Sequence, residues 1–112
     1  MSSKPETLFR RKVREELEKL PNTIIYSIQQ LSIRGTPDFL ICCSGVFIAL
    51  ELKASKQSRL SKLQAYNLKK INDARGLACT VYPENFDKIY KLIAEISLVN
   101  NVQGIEKPTD IN

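Results

Sequence analysis

The sequence predicts an α/β domain with elements in the order α-β-β-β-α-β-α, on three observations. Three segments carry apolar residues at helical spacing. Two apolar runs, 39–43 and 46–50, are separated by Ser44-Gly45, a two-residue hairpin signal. A strand-helix-strand succession follows the hairpin and implies a parallel crossover of the right-handed kind found in nearly all proteins. At 112 residues the chain is sized for one core, with no room for a separate recognition module.

The first helix is expected to begin at Ser3-Lys4-Pro5-Glu6, which has the S-x-x-E form of a capping box with proline in the first turn. Phe9, Val13, Leu17 and Leu20 recur at helical spacing and should face the core until Pro21 ends the helix. Glu6 falls about 20° from Val13 on a helical wheel, inside the apolar stripe, whereas Glu15 and Glu18 turn away from it. It is the acid of this helix aimed inward. Two roles stand open for it: capping the helix and complementing its dipole, or joining a site on the sheet. Arg10, Arg11, Lys12 and Arg14 are expected in solvent, with phosphate contact the alternative.

Residues 23–31 alternate Ile24, Tyr26 and Ile28 against Ile25, Ser27 and Gln29 and read as the first strand. Arg34-Gly35 then leads into the hairpin, and Arg34 either clamps a phosphate or is simply exposed. With Ser44-Gly45 as the loop, pairing partners sum to 89, so Asp38 faces Glu51, and Lys53 joins them two residues along the same face. Like charges opposite one another are destabilising unless a cation lies between them. Hard divalent cations prefer carboxylate oxygens, so a Mg²⁺ or Mn²⁺ site is one reading; a polar hairpin fringe with a surface ion pair is the other.

Ser61-Lys62-Leu63-Gln64 is a second capping box. It opens a helix to about residue 74 with Leu60, Leu63, Leu68 and Ile71 as its buried stripe and Gly76 as a left-handed stop. Gln64 is a cap on one reading and positions substrate or water on the other. Residues 53–75 hold seven basic side chains and one acid, Asp73, a local excess of +6. Because this excess begins at the acids, it suits a phosphate backbone better than scattered solubilising charge would. Residues 77–82 read as a buried strand ended by Pro83. Residues 85–98, with Phe86, Ile89, Tyr90, Ile93 and Ile96, read as a last amphipathic helix, and 99–112 as a loose tail with no assigned function.

Charge and residue inventory narrow the chemistry. Seventeen basic against twelve acidic residues leave a net +5, which suggests an anionic partner, most commonly nucleic acid. No run approaches the length of a membrane span and no hydrophobic signal segment opens the chain, so a soluble, intracellular (cytoplasmic) protein is expected. Three cysteines, Cys42, Cys43 and Cys79, form neither a disulfide framework nor zinc spacing and are expected as small buried hydrophobes. With no histidine at all, Ser-His-Asp and Cys-His catalysis, HExxH metalloproteases and histidine-base nucleases are excluded. Any hydrolysis must run on carboxylates, lysine and metal.

A helix with inward Glu6, then Gly35-Thr36-Pro37-Asp38, then Glu51-Leu52-Lys53, then Gln64 in the next helix resembles the PD-(D/E)xK nuclease superfamily. The form G-x-PD…ELK…S-x-x-Q is most similar to its compact VRR-NUC branch, and the resemblance spans residues 6–81. It implies a restriction-endonuclease-like core over residues 1–98, with a mixed central sheet flanked by helices. It also implies hydrolysis of phosphodiesters dependent on Mg²⁺ or Mn²⁺. By position, Asp38 and Glu51 would be metal ligands, the Leu52 carbonyl a further one, and Lys53 the residue that orients or activates water. Glu6 and Gln64 would be accessory, with Glu6 also a candidate ligand.

Arg34, Lys56, Arg59, Lys62, Lys69 and Lys70 are the expected DNA contacts. With no helix-turn-helix or zinc module to read bases, the expected substrate is branched DNA, with four-way (Holliday) junctions favoured. Cutting both strands suits a homodimer, for which the last helix and residues 46–48 are candidate surfaces. Two other classes remain: a nucleic-acid-binding module that does not cut, against which the intact Asp38, Glu51 and Lys53 argue, and a basic protein-interaction domain.

Overall fold

A computed structural model of the chain describes residues 4–28 and 34–99. They form α1 (Pro5–Glu18), β1 (Thr23–Ser27), β2 (Phe39–Cys43), β3 (Val46–Leu52), α2 (Lys62–Asp73), β4 (Leu77–Val81) and α3 (Phe86–Ser97). The four strands make one mixed sheet in the order β1-β2-β3-β4. The first two pairings are antiparallel, and β3-β4, joined through α2, is parallel. The α/β order and the mixed sheet agree with expectation.

Helix α1 starts one residue later than its capping-box pattern implies. Lys4 is extended and serves as N-cap without a side-chain bond. The residue before a proline is held out of the helical region, so Pro5 becomes the first helical position and Glu6 the second. Ser3, residues 29–31 of the expected first strand and the tail from residue 100 lie outside the described residues. Phe9, Val13 and Leu17 are buried, each such burial stabilising the fold by roughly 1.5–3 kcal/mol. They pack with Phe39, Ile41, Cys43, Ile48, Leu50, Val81, Phe86 and Ile93 into the main core, between one face of the sheet and helices α1 and α3.

Among the described residues the opposite face is covered by α2 alone, through Leu68 against Ala49 and Ala78, with Leu40, Leu60 and Ile71 around them. Two alanines facing the helix let it sit close to β3 and β4. Leu63, expected in the buried stripe, is instead 43% exposed, because it lies at the edge where the helix meets Gly35. The left-handed residue ending α2 is Arg75 (φ 72°), not Gly76. Gly76 is needed for a different reason: a Cβ there would come within 3.1 Å of the Phe47 carbonyl oxygen.

Helix α2 packs mainly on β3 and β4, with Leu40 of β2 at its margin, so Ile24, Cys42 and Phe47, which neighbour one another across three strands, are exposed on that side. Cys42 therefore departs from the expectation of buried cysteines, whereas Cys43 is buried and Cys79 half-buried. Ile48 is fully buried, leaving Phe47 as the side chain that β3 presents outward. Among the described residues no helix is long and apolar enough to cross a membrane.

Candidate active site

The hairpin register aligns the site. Ser44 (φ 47°) and Gly45 (φ 84°) both take positive φ, the requirement of a tight turn whose twist matches its strands. The ladder pairs Phe39 with Leu50 and Cys43 with Val46, the sum of 89 expected. Asp38 thus stands one step beyond Phe39, at the level of Glu51, where Ile28 N–H donates to the Asp38 carbonyl at 2.8 Å.

Gly35 fixes the approach to Asp38. It sits at φ 79°, and a Cβ on it would fall 2.7 Å from both Leu63 Cγ and Asn67 Nδ2. Asn67 Nδ2 donates to the Gly35 carbonyl at 2.9 Å, tying the segment to α2. The Asp38 carboxylate is held at both oxygens: Leu52 N–H donates to Oδ2 at 2.7 Å, and the Arg10 guanidinium bonds Oδ1.

Glu51 is 5% exposed. Its Oε2 accepts from Gln64 Nε2 at 3.2 Å, and its Oε1 is buried without a hydrogen-bond partner. Burial, and after it the neighbouring Asp38 carboxylate, push the Glu51 carboxyl up from 4.5 to about 8. Lys53 Nζ donates to Gln64 Oε1 at 3.1 Å, while its own N–H is fixed to Val81 O at 2.8 Å across the parallel pair.

Gln64 fills the capping role that its sequence context offered and reaches Glu51 as well. Its Oε1 accepts from Ser61 N–H at 2.9 Å and its N–H donates to Ser61 Oγ at 3.1 Å, so the capping box is complete. The same amide bonds Glu51 and Lys53.

Glu6, Thr7, Phe9, Arg10, Asp38, Leu52 and Lys53 line a cleft of about 290 Å³. Glu6 lies on the cleft side of α1 but is exposed, and among the described residues no three acidic, cysteine or histidine groups converge as a metal-ligand cluster. Arg10, expected in solvent with phosphate contact the alternative, is brought instead to Asp38, a pairing that sequence reasoning did not foresee. Its signal was its position four residues after Glu6, on the same side of the helix.

The basic residues divide. Arg34, Lys56, Arg59 and Lys62 are exposed around the start of α2. Lys69 pairs with Asp73 at 2.7 Å, and Lys70 lies 5.4 Å from the centre of the Tyr66 ring. These two lie on the order of 9 Å further along the helix axis than Gln64.

A solved structure described as "VRR_NUC domain" superposes with a TM-score of 0.69 at 17% identity, covering 80% of this chain and 97% of that one. The fold is that of a VRR_NUC domain. No protein-family model matches the sequence, and no curated protein matches it. The resemblance carried by Pro37-Asp38, Glu51-Leu52-Lys53 and Gln64 and the likeness of the VRR_NUC fold thus point to the same nuclease-type scaffold.

Proposed function

We propose that this chain is a divalent-cation-dependent endonuclease that hydrolyses phosphodiester bonds in DNA. The observation that supports this most directly is Glu51, a buried acid beside Asp38 with one oxygen held by Gln64 and the other unpartnered. A buried carboxylate left half-satisfied costs stability, and acids perturbed by burial and by one another concentrate at functional sites. The donor set suits a hard cation: Asp38, Glu51 and the Leu52 carbonyl supply protein oxygens, and water completes a shell as it commonly does for Mg²⁺.

A bound Mg²⁺ or Mn²⁺ would neutralise charge on the phosphoryl oxygens and acidify the attacking water. Lys53, steered by Gln64, orients that water and stabilises the charge developing on the phosphate. Glu6, which lines the same cleft, would be a further acidic group toward a bound cation. Lys56, Arg59 and Lys62 with Arg34 hold the phosphate backbone, and Lys69 and Lys70 extend that surface.

A surface of this kind recognises the placing of phosphates, so branched DNA and four-way junctions are the favoured substrates. A two-fold homodimer would cut both strands; exposed Phe47 and, on α3, exposed Leu92 are candidate contacts. The test is cleavage of labelled four-way junction, nicked, single-stranded and duplex DNA with Mn²⁺, alongside light scattering. Asp38→Ala and Glu51→Ala should abolish cleavage while leaving the fold intact. Lys53→Ala should abolish cleavage yet still bind cation by calorimetry, since an ammonium is not a ligand. Cleavage surviving in Asp38→Ala or Glu51→Ala would move the site elsewhere, and absence of cleavage on all four substrates would leave a binding module.

A further inference from the structure

We infer that Arg10 is a latch on Asp38: it holds the carboxylate while no cation is bound, yields it when a cation enters, and then presents its guanidinium to the scissile phosphate. This rests on the nuclease reading of the site. The two oxygens of Asp38 are held differently. Oδ2 takes the Leu52 N–H, a main-chain group fixed within β3 that cannot leave. Oδ1 takes Arg10, a side chain that can. Among the described residues this is the only ion pair to either Asp38 or Glu51.

The pair is partly withdrawn from water, with side-chain exposures of 35% for Arg10 and 19% for Asp38. The guanidinium is steadied by the Ser27 hydroxyl at 3.4 Å and stands 5.3 Å from the centre of the buried Phe39 ring. A divalent ion arriving at Oδ1 would meet a guanidinium already there, and the two cations repel at contact. One must move, and Arg10 has somewhere to go. It lines the open cleft, and Glu6, one turn earlier, is exposed and positioned as an i,i+4 counter-charge. A phosphodiester in that cleft offers a planar pair of oxygens, which the guanidinium fork matches better than an ammonium can. Lys53, which lines the same cleft, is engaged with Gln64, so the two cations have separate partners.

The latch makes opposite predictions for two measurements on one variant. In calorimetric Mn²⁺ titrations of the whole chain, Arg10→Gln should bind cation about three- to tenfold tighter than wild type, the scale of one part-exposed charge-assisted bond released. In single-turnover cleavage at saturating Mn²⁺, the same variant should be about tenfold or more slower, because the phosphate has lost its fork. Arg10→Lys, which keeps the charge but not the fork, should stay near wild type in cation affinity and still cleave slowly. A merely structural role would weaken cation binding and cleavage together.

Equal or weaker Mn²⁺ affinity in Arg10→Gln, with a wild-type circular dichroism spectrum, would overturn the latch, as would a lack of Mn²⁺ binding by wild type and variant alike. Full cleavage rate in Arg10→Gln at saturating Mn²⁺ would overturn the phosphate role. Should wild type cleave no DNA while Arg10→Gln still binds Mn²⁺ more tightly, the latch stands and the nuclease reading fails.

Discussion

The Gln64 side chain crosses from the first turn of α2 to Glu51 on β3, Nε2 donating to Oε2 at 3.2 Å. Its other amide atom accepts from both Lys53 Nζ and Ser61 N–H, so a helix cap and a site clamp share one residue. The two duties separate by mutation. Ser61→Ala removes only the cap and should cost about 1 kcal/mol in denaturant unfolding, with cleavage within about twofold of wild type. Gln64→Ala should cost a similar amount but slow cleavage about tenfold, because Lys53 and Glu51 lose their shared tether. Equal effects of the two variants on cleavage would reduce Gln64 to a cap.

Stability of the cation-free protein should fall as pH rises. Burial, with Asp38 alongside, pushes Glu51 up from 4.5 to about 8, so the folded chain binds more protons than the unfolded chain between those values. Stability then declines across that window as ionisation is forced on a buried group. Thermal melts in chelator from about pH 4.5 to 8 should show this decline, and Glu51→Gln should flatten it. Added Mn²⁺ should raise the melting temperature most at the alkaline end, where the carboxylate is available as a ligand. A melting profile identical in wild type and Glu51→Gln would contradict the burial argument.

Gly35 couples the placement of Asp38 to α2. Its φ of 79° and the 2.7 Å approach of Leu63 Cγ to a would-be Cβ predict that Gly35→Ala destabilises by about 1–3 kcal/mol. The urea midpoint should drop without a change in m value. Part of the cost is steric, so Gly35→Ala should cost less in a Leu63→Ala background. An undiminished cost there would assign the whole effect to the backbone conformation.

What the sequence disclosed well was local and periodic. The 89 register follows from a two-residue turn that admits few conformations, and the Ser61–Gln64 box declares itself by spacing. Arg10 escaped because a wheel plots where a side chain leaves the helix, whereas arginine's reach decides where its charge ends. Glu6 sits in the apolar stripe on the wheel, yet the first turn of α1 borders the cleft and leaves it exposed. Gly76 invites the usual helix-stop reading, but close contact with Phe47 claims the glycine and Arg75 takes the left-handed position. Cys42 defeats the expectation of burial because strand alternation does not reveal how much of a face a helix covers.

The structure also redistributes the expected electrostatics of DNA binding along α2. Lys69 already neutralises Asp73, and Lys70 is occupied over Tyr66, whereas Lys56, Arg59 and Lys62 are exposed beside the start of the helix that carries Gln64. Among the described residues none of those three forms an ion pair. Phosphates near the scissile bond should therefore meet the second group first. Duplex or junction binding measured in Ca²⁺ should weaken with salt along a log-log slope reflecting on the order of three to six phosphate contacts. Replacing Lys56, Arg59 and Lys62 together by glutamine should reduce that slope by about 2–3, at roughly 0.9 for each phosphate no longer neutralised. Replacing Lys69 and Lys70 should reduce it by less than about 1, since Asp73 is left uncompensated but few phosphates are released. The reverse ranking would mean that DNA runs along the far end of α2, and an unchanged slope in both variants would mean that this side of the protein does not face nucleic acid.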